Sequence, residues 1–150
     1  MLNDGELRAL LIRLDDSERA EAPAVWDRPA AEARFVALAT TLEQRLGYPC
    51  PYETGFLIQD ANFHGQLFLP REILIREETV SLRASNFDRL AAICDDEAVV
   101  QPQALATIVA TLTEHGYTYV PRGVLMAGYS GKNSGVDGFT TWMRRFFDWV

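Results

Sequence analysis

Lysine is almost missing from this chain: of its 14 basic residues, 13 are arginine and Lys132 stands alone. Histidine and cysteine are scarce as well, at two each in 150 residues. Cys50 and Cys94 form no Cys-x-x-Cys pair and have no histidine near them in sequence, which excludes the spacing of a zinc or thioredoxin-like site. Cys94 closes the apolar run Leu90 to Ile93 and reads as a small buried hydrophobe. Cys50 lies in the extended connector Tyr48-Pro49-Cys50-Pro51-Tyr52. No apolar run approaches the ~20 residues that span a bilayer, and Met1 to Glu6 has no basic or greasy leader pattern. The chain therefore reads as a cytoplasmic protein with no membrane association and reduced thiols. Positive charge is the other shortage. Against 21 acidic residues the formal net charge is −7, a field that repels phosphates, so no nucleic-acid partner is expected. The acid is concentrated before residue 121, and its natural complement is a basic surface. A hydrophobic fraction of 48% and a charged fraction of 23% fit an ordinary globular domain, and the length fits one domain covering 1–150.

Four segments carry helical periodicity. Leu7, Leu10, Leu11 and Leu14 share one face, with Asn3 and Glu6 at capping-box spacing. A second helix begins near Asp27 and Pro29, presents Phe35, Leu38, Ala39, Leu42 and Leu46, and stops at Gly47. The charged stretch from Asp15 to Trp26 between them has no period. A third helix runs from about Pro102 to His115 with Leu105, Ile108, Val109 and Leu112 inward and Gly116 as its stop. The last is capped by Asp137 and aligns Phe139, Trp142, Met143, Phe146 and Val150, leaving Phe147 and Trp149 off the stripe as a candidate exposed patch.

Between the second and third helices the pattern becomes that of strands. Phe56-Leu57-Ile58, Leu67-Phe68-Leu69 and Ile73-Leu74-Ile75 are short apolar runs. Val80, Leu82 and Ala84 alternate with polar residues, and Leu90 to Cys94 and Tyr117 to Val120 add two more. The links are short, which favours antiparallel pairing. The expected fold is α+β: a four- or five-stranded, mostly antiparallel sheet with about four helices packed on one face.

No motif supplies chemistry. Gly128 to Gly135 looks like a phosphate loop but has Met126 where the first glycine belongs and Asn133 where Ser or Thr should follow the lysine, so it reads as a mobile connector. His64 falls in an expected hairpin turn, solvated, and His115 at a helix end. Neither is expected to be catalytic or a metal ligand, and Ser85 lacks the elbow that would pair it with a histidine. No catalytic residue, metal or cofactor is assigned. The sharper reading concerns recognition. Asp95, Asp96 and Glu97 would present charge to a basic partner, with Tyr117, Tyr119 and Tyr129 as aromatic anchors.

Three phrases carry a resemblance: Leu82 to Leu90, Gly116 to Pro121, and Thr141 to Trp149. Over roughly the last 70 residues the chain resembles small uncharacterised bacterial proteins similar to the immunity proteins of polymorphic-toxin and contact-dependent growth-inhibition systems. The resemblance implies a non-catalytic cytosolic binder that masks a cognate toxin, such as a basic nuclease domain. The alternative is a small enzyme or small-molecule-binding domain with a cleft between the sheet and the C-terminal helix. A homodimer stays open.

Overall fold

The computed structural model describes residues 1–133 and 138–148 and is an α+β fold. Asp137, Trp149 and Val150, expected as a cap, part of a patch and a stripe position, lie outside the described residues. Helix α1 spans Asp4–Leu14 and is opened by the capping box: Glu6 N donates to Asn3 Oδ1 at 2.9 Å, and Asn3 N donates to Glu6 Oε2 at 2.8 Å. Helix α2, Arg28–Leu46, begins where Ala30 N donates to Asp27 Oδ1 and ends on left-handed Gly47, φ 80°. Helix α3 spans Pro102–Glu114 with proline in its first turn, as its sequence predicts. Two short helices, α4 (Arg122–Leu125) and α5 (Trp142–Phe147), complete the α-helices among the described residues; α4 has too few residues to show a period.

Among the described residues the sheet has five strands, in the order β1 (Tyr52–Thr54), β2 (Phe63–Phe68), β3 (Ser81–Ser85), β4 (Leu90–Ile93), β5 (Thr118–Tyr119). The first three pairings are antiparallel. The β4–β5 pairing is parallel because α3 supplies the crossover that a parallel return requires. Two expected strands differ. Gly55, at φ 68°, turns the chain out of β1, so Phe56 and Leu57 lie in a 3₁₀ turn and stay exposed. Ile73 to Ile75 makes only a single bridge, Leu74 to Val100.

Helices cover both faces of the sheet, not one. On one face α2 and α3 bring Phe35, Leu38, Leu42, Ile108 and Leu112 against Leu67, Leu82, Ala84, Ala91 and Ile93. On the other, α1, α4 and α5 bring Leu7, Leu11, Leu125, Trp142 and Phe146 against Leu90, Ala92 and Phe87. The alternation of β4 explains the arrangement: all four of its residues are buried, odd and even numbers facing different cores. Each fully buried leucine contributes roughly 2 kcal/mol. Gly65 is required where α2 meets the sheet, because a Cβ there would lie 2.5 Å from the Phe35 ring. Among the described residues no helix is long and apolar enough to cross a membrane.

One buried ion pair ties the second face together. Arg145 Nε donates to Asp15 Oδ1 at 2.6 Å, with both side chains fully buried. The remaining guanidinium donors reach the carbonyls of Asp16, Arg19 and Ala20, and the cation lies 4.7 and 4.9 Å from the Phe87 and Phe146 ring centres. The aperiodic stretch after α1 is thereby fastened to α5. Helix α5 packs on β3 and α4 at once, so Phe147 is buried rather than an exposed patch. The described part of the Gly-rich loop, residues 128–133, is fastened too, not a mobile connector, while Ser134 and Gly135 lie outside the described residues. Tyr129 Oη–H and Lys132 N–H both donate to Asp15 Oδ2, and a side chain at Gly131 would collide with that carboxylate.

Candidate functional site

The acidic run at the end of β4 is engaged internally. Asp95 accepts from Ser81 N and Oγ at 2.7 and 3.0 Å; Asp96 accepts from Ala98 N and pairs with Arg76 at 3.3 Å. Glu97 accepts from Tyr119 Oη–H and from Arg122 N. Burial, and then that carboxylate acceptor, hold the Tyr119 hydroxyl well above its ordinary range. The structure thus joins Glu97 to Tyr119. It places the other two tyrosines elsewhere: Tyr129 beside Asp15, and Tyr117 buried at 4% exposure. Cys50 and Cys94 are free thiols, pushed up to about 11 and about 12 chiefly by burial.

Tyr117 leads to the site that the sequence did not disclose. A cleft of about 480 Å³ opens between the N-terminal turn of α2, the 14–26 stretch, the start of β2 and the β3–β4 turn. Trp26, Arg34, His64, Asn86, Arg89 and Tyr117 are among the residues that line it. His64 reaches it through a β-bulge. Phe63 pairs with Ser85 and Gly65 with Ala84, so two residues of β2 oppose one of β3 and His64 is the extra one. Its ring is buried at 2% exposure, not solvated in a turn as its sequence context predicts, and lies edge-on to Phe35 at 6.2 Å.

Asn86 determines which proton His64 carries. Asn86 Nδ2 donates to the carbonyls of Glu21 and Ala61, both at 2.9 Å, which fixes its Oδ1 toward His64 Nδ1 at 3.2 Å. An amide oxygen only accepts, so Nδ1 carries the hydrogen and Nε2 of the neutral ring is a bare acceptor. Burial pushes the His64 pKa down to about 4, against a smaller opposing effect of the Asn86 bond, so the neutral ring prevails at pH 7. Among the described residues two buried side-chain polar atoms have no protein hydrogen-bond partner: His64 Nε2 and Tyr117 Oη. Both residues line this one cleft. Burial also raises the Tyr117 hydroxyl to about 12, partly offset by Arg34 and Arg89.

The cleft rim carries backbone strain. Leu90 N donates to Phe87 O across a tight turn whose central residues, Asp88 and Arg89, have φ of 41° and 59°. Both lie in the left-handed region that glycine normally fills. Ser85 lines the same cleft, but its hydroxyl accepts from Phe87 N and lies 3.4 Å from Asn62 O, with no bond to His64. The arrangement lacks an activated nucleophile. It offers an acceptor, a hydroxyl, two guanidinium groups and an indole wall, which is binding chemistry. Among the described residues no three of His, Cys, Asp and Glu converge as metal ligands would.

No family model matches this chain, and no curated protein or solved structure shows significant similarity to it.

Proposed function

We propose that the protein binds a small polar molecule in the cleft bounded by His64, Asn86 and Tyr117. One observation carries the reading: the two orphaned buried polar atoms among the described residues belong to His64 and Tyr117, which line the same cleft. A buried polar group without a partner costs about 1–3 kcal/mol, which a ligand atom reaching it from the cleft would recover. The volume is that of a small-molecule site. The cleft is the alternative that the sequence left open, in a different place: its walls are α2, the β2 bulge and the β3–β4 turn, away from the C-terminal helix. A fragment screen by two-dimensional NMR on the intact chain tests it. Hits should move the backbone signals of Ser85, Asn86 and Tyr117 together. A screen whose hits all fall outside the cleft, or that yields none, refutes it.

A second reading, masking of a protein partner such as a basic toxin domain, follows from the immunity-protein resemblance. It is supported by Phe56 and Leu57, 81% and 61% exposed just after the edge strand β1. Its test is competition: Phe56→Ser should abolish protein capture and leave fragment binding in the cleft intact.

A further inference from the structure

We infer that the ligand of the cleft is a small organic monoanion carrying a hydrogen-bond donor next to its charged group, as a 2-hydroxycarboxylate does. The inference rests on the cleft being a small-molecule site. The donor requirement comes from His64. With Nδ1–H committed to Asn86, Nε2 can only accept, and the ligand atom that meets it must bring a hydrogen. Tyr117 also lines the cleft and its Oη is unpartnered, so the hydroxyl can donate to the ligand's anionic oxygen.

The charge requirement comes from the arginines. Arg34 and Arg89 both line the cleft, and neither side chain makes a hydrogen bond or ion pair to a described residue. Arg28, Arg45, Arg76, Arg83 and Arg145, by contrast, are each paired with a carboxylate. Arg89 is presented from a left-handed backbone that is unfavourable for a non-glycine residue, and such strain concentrates at ligand sites. Its guanidinium lies close against Gly116, the neighbour of Tyr117. Asp27 and Asp88 also line the cleft. Asp27 is taken up by the N-terminus of α2, where Ala30 N donates to its Oδ1, so two arginines face Asp88 alone, and the net charge of +1 suits one negative charge rather than a phosphate dianion. Trp26, Val25 and Phe87 supply an apolar side for a hydrocarbon arm.

Three probes of matched size separate these requirements: 3-phenyllactate has charge and donor, 3-phenylpropionate lacks the donor, and 3-phenyllactamide lacks the charge. Binding to the intact protein is followed by the ¹⁵N resonance of His64 Nε2. The expected result is that 3-phenyllactate moves this resonance and binds at least about tenfold more tightly than either analogue, the equivalent of ~1.4 kcal/mol per missing contact. Arg34→Gln and Arg89→Gln should each weaken the acid by about tenfold and leave the amide unchanged. Because neither arginine supports the fold by a side-chain bond, both variants should remain folded, and the comparison of probes on the unaltered chain needs neither. Equal affinity for all three, tighter binding of an analogue, or no response to any of them overturns the inference. The small-molecule reading then stands or falls separately on whether fragments enter the cleft.

Discussion

Acidification from pH 7 to pH 5 should destabilise this protein through His64. In the unfolded chain the imidazole takes up a proton near pH 6.5, its ordinary value. In the native state burial holds protonation off until about pH 4. Between those values the unfolded chain binds the extra proton, so stability is full above about pH 6.5 and declines as pH falls toward 4. The full difference is about 3 kcal/mol, and about 2 kcal/mol of it is lost between pH 7 and pH 5. That is a large share of the ~5–15 kcal/mol that holds an ordinary domain together. Urea unfolding at the two pH values measures the loss directly. The control is His64→Gln, whose amide can still donate to Asn86 Oδ1 but does not titrate. The difference in slope between the two proteins isolates His64 from every other group. Parallel slopes, or an NMR titration placing His64 near 6.5 in the folded protein, would refute the assignment of a buried neutral ring.

Asp15→Asn leaves the fully buried Arg145 guanidinium without its counter-charge and should cost about 3–5 kcal/mol, a drop of roughly 10 °C in melting temperature by calorimetry; a loss below about 1 kcal/mol would mean that water reaches the pair. Trp142→Ala should cost about 3–5 kcal/mol in urea unfolding, since Trp142 is buried at 3% exposure against Phe146 and Tyr129. Tyr117→Phe should be neutral or stabilising by about 1 kcal/mol, because it removes a hydroxyl that no protein group satisfies; a clear destabilisation would show that the hydroxyl has a structural partner.

The three long helices and their ends were legible because each is written locally: Asn3 with Glu6, Asp27 with Ala30, and Gly47 act within a turn or two of themselves. By contrast α4 left no period, and α5 begins at the Thr141 cap with Phe139 ahead of it, not on its stripe. The strands β3 and β4 were legible through short-period alternation. The cleft was not, for two reasons. The bulge at His64 inserts a residue into β2 and breaks the alternation that would have placed its ring inside. The partners of His64 come from far along the chain, with Asn86 22 residues away. The stretch from Asp15 to Trp26 showed no period because its order comes from main-chain carbonyls that accept from the Arg145 guanidinium, and main-chain acceptors leave no mark on sequence. The cleft rim left no cue either: the turn at Phe87-Asp88-Arg89 has no glycine where two left-handed residues are needed, and only the backbone angles reveal it.

The separation of 130 residues between Asp15 and Arg145 has a consequence for biosynthesis. A ribosome delivers α1 and the stretch after it first, yet the arginine that fixes them emerges only when nearly all of this sequence has been made. The core built from α2, the sheet and α3 can close earlier, since its buried residues run from Phe35 to Tyr117. During that interval the leucine face of α1 has no α5 to cover it, and the wall of the cleft formed by residues 14–26 has no anchor. The nascent chain should therefore pass through a stage with one face of its sheet assembled and the other bare. Such a stage is a substrate for chaperones, and slow decoding of the codons between α4 and α5 would prolong it.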